Sequence, residues 1–190
     1  PLPLCLIRMD LMTDGETDCP DDLARHASKM AKKKAARDKI MATKTDERGL
    51  IIVHTGKGKG KSTAAFGMIF RHIAHGMPSA VVQFIKGEQL SGEEIYLKEH
   101  CPQVDFYQMG TGFTWDTQDR SGDIVAAIRT WAIAKEMLRD SSFDLVVLDE
   151  LTYMIAYDYL QEDEIIHAIS ERPATQSVVV TGRGGGTALQ

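Results

Sequence analysis

Residues 50–67 read LIIVHTGKGKGKSTAAFG, and this stretch decides the fold. A short apolar run ends at His54, a turn of alternating glycine and lysine follows, and Lys61 opens a segment of helical composition. A strand, a glycine-rich loop and a helix in this order are the context of a phosphate-binding P-loop. The stretch therefore predicts an α/β domain that holds a phosphate group at the start of its first helix.

The turn itself offers three kinds of contact to a triphosphate. Its glycines let backbone N–H groups approach an anion closely, and the helix start points further N–H groups toward it. Lys61 adds a positive charge, and the hydroxyl of Ser62 can ligate Mg²⁺. The predicted nucleotide-binding residues are Gly56, Lys57, Gly58, Lys59, Gly60, Lys61, Ser62 and Thr63.

The loop departs in length from the common pattern Gly-x-x-x-x-Gly-Lys-Ser/Thr. Three residues, not four, separate Gly56 from Gly60. A tighter loop could hold the triphosphate along a different path. It could therefore serve a reaction other than transfer of the γ-phosphoryl group.

A second strand, in the segment FDLVVLDE at residues 143–150, ends in two carboxylates. Open α/β sheets bind their ligands at the carboxyl ends of their strands. This Walker-B-like arrangement predicts that Asp149 or Glu150 holds Mg²⁺ directly or through water, and in an ATPase the other could position the attacking water. The motif alone leaves open which of the two carboxylates is the metal ligand.

Apolar runs alternate with helical patterns along the rest of the chain. Because the runs are continuously apolar, they predict strands buried on both faces, as in a parallel sheet. The expected strands are Leu50–His54, Ala80–Ile85, Val104–Met109, Leu145–Leu148 and Val178–Thr181. The expected helices are Lys61–His75, Glu93–Glu99, Asp123–Arg139 and Glu162–Glu171, with Ser91 and Glu94 forming a capping box. The predicted fold is a RecA-like P-loop NTPase, a doubly wound, mainly parallel sheet with helices on both faces.

Composition restricts the function. With 190 residues, 43% of them apolar and 26% charged, the chain can form one globular domain with a hydrophobic core. A net charge of −5 argues against a general nucleic-acid binder, and no apolar run approaches the roughly 20 residues of a membrane span. The three cysteines form no pair with the spacing of a metal site. We expect a cytoplasmic protein that binds neither nucleic acid nor membrane.

The N-terminal part differs from the rest. Residues 21–48 are rich in lysine and alanine and predict a basic helix or arm, for which a solvated surface helix is favoured over a nucleic-acid contact because no aromatic residues are interleaved. Residues 1–20 are expected to be a disordered or non-native leader. The P-loop domain is expected at residues 49–190.

Several further motifs between Gly49 and Gly184 resemble one family closely. They are the short loop followed by AAFG at 64–67, VQFIKG at 82–87, TGFTW at 111–115, VVLDELTY at 146–153 and TGRG at 181–184. Together, in this order, they resemble the P-loop type of ATP:corrinoid adenosyltransferase. The basic helix before Gly49 is also similar to the N-terminal helix of that family.

The resemblance implies a reaction in which the Co(I) of cobalamin or a corrinoid precursor attacks C5′ of ATP and expels the whole triphosphate. The nucleotide then lies reversed in the loop, which fits the short loop. Lys61 would stabilise the leaving triphosphate together with Mg²⁺ or Mn²⁺, for which Ser62 and Glu150 are the preferred ligands and Asp149 the weaker candidate. Arg183, which lies between glycines after the last strand, could also reach phosphate, although a surface position is an equal alternative. Because cobalt is the nucleophile, no protein nucleophile is required.

The resemblance also gives a catalytic role to Phe113 and Trp115, which would otherwise be taken as a local hydrophobic cluster. In the family, aromatic residues here displace the lower axial ligand of cobalt. Losing a nitrogen donor makes Co(II) easier to reduce. The family further implies a flavodoxin-like or other electron donor and a homodimer.

Family members continue past the Thr-Gly-Arg segment with a further helix and strand, whereas this sequence ends at Gln190. We therefore expect the P-loop domain to be incomplete at its C-terminal end and less stable than longer relatives, and the sequence leaves its activity open. Two other functions remain open at this point. One is a RecA-like ATPase or kinase acting on the γ-phosphate, and the other is a non-catalytic nucleotide-binding module.

Overall fold

The structure, a computed structural model, describes residues 20–85, 91–110 and 119–184. The chain divides into two units, Pro1–Asp46 and Glu47–Gln190. Within the described ranges, no helix is both long enough and apolar enough to pass through a lipid bilayer.

The described part of the first unit is one long helix, α1 (Pro20–Ala42). Its alanines and lysines favour a helix, and Pro20 occupies the first helical position, where a missing N–H costs nothing. Asp21 and Asp22 in the first turn and Lys39 in the last turn match the helix dipole. The side chains of residues 21–42 are exposed. The helix agrees with the basic helix or arm predicted for residues 21–48, and it ends at Ala42.

The described part of the second unit is built on a five-stranded sheet in the order β1-β5-β4-β2-β3. Every neighbouring pair of strands is parallel. The strands are β1 (Ile51–His54), β2 (Ser79–Gln83), β3 (Val104–Gln108), β4 (Leu145–Asp149) and β5 (Ser177–Thr181). The predicted parallel α/β fold is therefore confirmed, and β5 separates the strand of the phosphate loop from the strand of the two carboxylates.

Helices cover both faces of this sheet. They are α2 (Lys61–Ala74), α3 (Gly92–His100), α4 (Arg120–Arg139), α5 (Leu151–Ala156) and α6 (Glu162–Ser170). Successive residues of β4 enter two different hydrophobic clusters: Val146 and Leu148 lie in the cluster that contains Trp131 of α4, and Val147 lies in the cluster that contains Ile69 of α2. All five residues of β4 are buried. Because side chains alternate across a strand, an apolar residue at every position produces two cores.

Three details differ from the sequence predictions. Helix α4 begins at Arg120 rather than Asp123 because the Asp119 carboxylate accepts a hydrogen bond from the N–H of Gly122 at 3.1 Å and caps the helix. Strand β2 ends at Gln83, two residues early. Helix α5 was not predicted, since six residues are too few to show a helical period. The predicted cap at Ser91 is confirmed, with its hydroxyl 3.2 Å from the N–H of Glu94.

Candidate functional site

The phosphate loop runs from the end of β1 to the start of α2. Gly56 and Gly60 have φ angles of 114° and 99°, in the region that side chains other than glycine rarely adopt. Gly60 is the N-cap of α2 and has no side-chain cap hydrogen bond. The N–H groups of the first turn are therefore directed at the loop without a competing side-chain acceptor, which is the arrangement that binds anions.

Lys61 folds back over the loop that precedes it. Its Nζ atom donates to the carbonyl oxygens of Gly56 at 2.9 Å and Gly58 at 2.6 Å. The ammonium group therefore lies within the curve of the loop. This contact fixes a positive charge where the loop would surround a phosphate.

Glu150 follows β4 directly and has an unusual backbone for a residue with a side chain. Its φ and ψ angles are 59° and 24°, and it forms the N-cap of α5. Its N–H donates to the hydroxyl of Thr181 at 2.9 Å. Among the described residues, its buried Oε2 atom has no hydrogen-bond partner, although a buried carboxylate oxygen normally has one.

Asp149 is held in place from two sides. Its Oδ1 accepts a hydrogen bond from the Thr181 hydroxyl at 2.6 Å, and its Oδ2 accepts one from the Gln83 side-chain amide at 2.8 Å. Asp149, Gln83 and Thr181 are all buried. Both carboxylate oxygens are thus engaged by the protein, which leaves Glu150 as the carboxylate with an unused acceptor.

The groups around Glu150 shift the pKa of its carboxyl group in opposite directions. Burial raises the pKa of its carboxyl group above the ordinary value of 4.5, and the nearby Asp149 carboxylate raises that pKa further. Lys61 and Arg183 lower the pKa by their positive charges but do not cancel the rise. A carboxylate of this kind gains from a further positive charge.

Two cavities meet at this carboxylate. The smaller, about 200 Å³, is lined by Gly58, Lys59, Gly60, Lys61, Ser62, Thr63, Glu150 and Arg183. The larger, about 450 Å³, is lined by Ser62, Phe66, Gln83, Ile85, Ser91, Glu93, Asp149, Glu150, Tyr153 and Arg183. Ser62, Glu150 and Arg183 line both. A third cavity of about 890 Å³ lies against β1 and includes Gly56, Lys57 and Arg183 but neither carboxylate, so it is not the centre of the site.

The sequence-predicted residues fall into four groups. Gly56 and Lys57 line the third cavity, against β1. The loop from Gly58 to Thr63, Glu150 and Arg183 come together around the smaller cavity. Asp149 lies behind them and lines only the larger one. Phe113 and Trp115 lie outside the described residues.

Sequence reasoning gave no role to Gln83 and Thr181, although both lay in motifs that it singled out. Each is the polar last residue of an apolar strand, β2 and β5. In a parallel sheet the carboxyl ends of the strands lie side by side, so these residues come next to the end of β4. That position was the signal that could have identified them.

Comparison with known proteins agrees with this site. Residues 47–190 match the family model described as ATP:corrinoid adenosyltransferase BtuR/CobO/CobP, and residues 12–41 match the model of the cob(I)alamin adenosyltransferase N terminal. A corrinoid adenosyltransferase of Sinorhizobium sp. is 58% identical over 171 residues, which cover 89% of this chain and 80% of the relative.

Two further corrinoid adenosyltransferases are similar over most of their length. The protein of Escherichia coli K12 is 52% identical over 160 residues, which cover 84% of this chain and 81% of the relative. The protein of Pseudomonas aeruginosa is 47% identical over 167 residues, which cover 88% and 82%. With its P-loop, its paired carboxylates and these matches, the chain belongs to the ATP:corrinoid adenosyltransferase family.

Proposed function

We propose that Lys61, Ser62 and Glu150 hold the triphosphate of ATP and its metal ion while the 5′-deoxyadenosyl group passes to the Co(I) of a corrinoid. Membership of the family makes the chain an adenosyltransferase that uses ATP and a corrinoid substrate. The observation that carries the assignment of residues is the 200 Å³ cavity, in which the phosphate loop faces Glu150 and Arg183. The role of each residue follows from its position there.

The phosphate groups are bound by the loop and two cations. The uncapped N–H groups at the start of α2 and the Lys61 ammonium group are the inner contacts. Arg183 lines the same cavity from the end of β5 and supplies a second positive charge. Lys57, Lys59 and Thr63 are exposed and contribute at the rim.

The donor atoms fit Mg²⁺ or Mn²⁺. The Ser62 hydroxyl and the Glu150 carboxylate line the same two cavities. The buried Oε2 of Glu150 has no hydrogen-bond partner within the part of the chain that the structure describes. Among the described residues no group of three or more His, Cys, Asp or Glu side chains could hold a metal ion. That suits Mg²⁺, which proteins bind through one or two carboxylates together with substrate phosphates and water. The metal ion, when bound, offsets negative charge on the triphosphate.

The reaction forms a cobalt–carbon bond and breaks the bond between C5′ and its oxygen, with triphosphate as the leaving group. The cobalt of the corrinoid substrate is the nucleophile, so no protein base is needed at C5′. The chain instead aligns the ribose carbon with cobalt and stabilises the charge that grows on the departing oxygen. The nucleoside lies in the 450 Å³ cavity, which shares Ser62 and Glu150 with the phosphate cavity.

Phe113 and Trp115 act on the corrinoid. By displacing the lower axial ligand, these side chains lower the electron density at cobalt and make its reduction to Co(I) easier. A flavodoxin-like or other reductant supplies the electron. The active form is a homodimer in the cytoplasm.

One assay separates this function from γ-phosphate chemistry and from binding alone. The protein is incubated with ATP, Mg²⁺ and chemically reduced cobalamin, and the products are examined for a light-sensitive alkyl-cobalt compound and intact triphosphate. Orthophosphate without the alkyl-cobalt product would indicate an ATPase or kinase. ATP binding without any product would indicate a non-catalytic module.

A further inference from the structure

We propose that Thr181 is a positioning residue for adenosyl transfer: its hydroxyl group holds Glu150 in the conformation that presents the carboxylate to the phosphate loop. The proposal rests on the metal-binding role given to Glu150 above. It adds a residue that does not itself touch ATP, the metal ion or the corrinoid.

The position of Thr181 in the sheet comes first. It is the last residue of β5, the strand between β1 and β4, and its register partner in β1 is His54, directly before the phosphate loop. Its side chain is fully buried. The Thr181 hydroxyl group therefore lies at the carboxyl end of the sheet, between the phosphate loop and the carboxylate pair.

The direction of the hydrogen bonds follows from the chemistry of the groups. An ionised carboxylate only accepts hydrogen bonds, so the hydroxyl proton of Thr181 points to Asp149 Oδ1, 2.6 Å away. That leaves the hydroxyl lone pairs free to accept from the Glu150 N–H at 2.9 Å. Gln83 donates to the other oxygen of Asp149 and stops the carboxylate from rotating. The chain of bonds thus runs in one direction, from the Glu150 amide through Thr181 to Asp149.

The backbone of Glu150 needs such support. A left-handed conformation is unfavourable for a residue with a side chain, and Glu150 has a φ angle of 59°. In this conformation Glu150 caps α5, and its carbonyl oxygen accepts from the N–H of Tyr153 at 3.3 Å. Its amide is held from the other side by Thr181. Losing that bond would let Glu150 relax, and its carboxylate would move away from Ser62.

A purely structural role would not require a hydroxyl group at Thr181. Strand β5 reads SVVVT, and a buried β-branched position of this kind is well served by valine. Burying a hydroxyl is unfavourable unless it is hydrogen-bonded. Thr181 uses its hydroxyl as both donor and acceptor, on two residues of the site.

The test compares Thr181→Val, which removes the hydroxyl and keeps the shape, with Thr181→Ser, which keeps the hydroxyl. ATP affinity is measured with Mn²⁺ and with EDTA, and the ratio gives the gain in ATP affinity that the metal provides. We expect Thr181→Val to reduce this gain about tenfold, as loss of one hydrogen bond to the site implies, while affinity in EDTA stays within about twofold. Thr181→Ser should keep the full gain.

Three results would overturn the proposal. A folded Thr181→Val protein with the wild-type gain would show that the hydroxyl is not needed. An equal loss in Thr181→Ser and Thr181→Val would show that a retained hydroxyl does not protect the gain, so the hydrogen bonds of that hydroxyl would not be its cause. A wild-type protein with no gain from Mn²⁺ would remove the metal role of Glu150 and this inference with it, whereas the first two results leave that role intact.

Hydrogen exchange supplies a second measurement if Thr181→Val does not fold. The Glu150 amide should exchange slowly in the wild type and in Thr181→Ser, because both retain the acceptor oxygen. Fast exchange of that amide in the folded wild type would contradict the bond on which the proposal depends.

Discussion

The Nζ atom of Lys61 lies 2.6 Å from the carbonyl oxygen of Gly58, three residues before it. A lysine that began a helix and extended into solvent would carry its charge away from the loop. This lysine instead turns back, and its charge lies among the N–H groups that would contact a phosphate. The position of the charge, rather than its presence alone, makes the short loop suitable for a triphosphate.

Replacing Lys61 by Met should weaken ATP binding. Hydrogen bonds to charged groups contribute about 1.5–3 kcal/mol, so we expect the Kd for ATP to rise about 10- to 100-fold. Isothermal titration calorimetry measures this. Lys135→Met is the matched control, because it removes the same charge outside the site. There the Lys135 Nζ atom forms an ion pair with Glu164 Oε1 at a distance of 2.6 Å. An equal loss of affinity in the two variants would assign the effect to net charge.

Replacing Gly60 by Ala should destabilise the protein through its backbone. Gly60 has a φ angle of 99°, and no atom lies within 4 Å of a Cβ built there, so strain rather than a clash sets the effect. The expected loss is about 1–2 kcal/mol in the free energy of unfolding, measured with urea. Gly67→Ala, within α2 and also without a close neighbour, should instead gain about 0.5–1 kcal/mol. Equal effects of the two substitutions would contradict the role of the loop conformation.

The centre of the sheet could be predicted from the sequence because β2, β4 and β5 contain continuous apolar runs that enter a core on both faces. The loop and the carboxylate pair could be predicted because they follow such runs directly. The anchoring of Asp149 could not, since it depends on which strands lie beside β4. Local patterns carry no signal for β5 lying between β1 and β4, and so the contact between Asp149 and Thr181, 32 residues apart, appeared only in the structure.

Replacing Glu150 by Gln should raise stability and weaken the site. Burial, then the Asp149 carboxylate, raises the pKa of Glu150, so the folded state holds this proton more tightly than the unfolded chain. The free energy of unfolding therefore falls as the pH rises from the ordinary pKa of 4.5 through the raised pKa of the folded state. Above both pKa values, the whole cost of burying the ionised carboxylate is present. We expect Glu150→Gln to have a higher Tm than the wild type at pH 7.

The same variant should lose the gain in ATP affinity that Mn²⁺ provides. The Tm difference should also disappear below pH 4.5, where the wild-type carboxyl group is protonated in both states. A lower Tm for Glu150→Gln at pH 7 would mean that Lys61 and Arg183 stabilise the carboxylate more than burial destabilises it.

Replacing Trp115 by Ala should impair the reduction of Co(II) more than the reaction of Co(I) with ATP. If the aromatic side chain displaces the axial ligand of cobalt, its loss slows the reduction of Co(II) in the presence of ATP. Reaction with preformed Co(I) bypasses that step and should be less affected. Stopped-flow absorbance follows both steps. Equal losses in both would remove the axial-ligand role. Trp131→Phe, in the hydrophobic core, controls for the loss of a tryptophan.

Replacing Asp149 by Leu should have the opposite effect on stability to Glu150→Gln, although the two carboxylates are adjacent. It leaves the Gln83 amide and the Thr181 hydroxyl buried without their acceptor. Each unsatisfied group costs about 1–3 kcal/mol, so we expect the two groups to lower the free energy of unfolding by about 2–6 kcal/mol, measured with urea. Adding Gln83→Leu should recover part of this loss, because a buried donor is then removed along with its acceptor. If the two substitutions were simply additive, the hydrogen bond between Gln83 and Asp149 would not be the source of the loss, and Asp149 would have to act through packing instead.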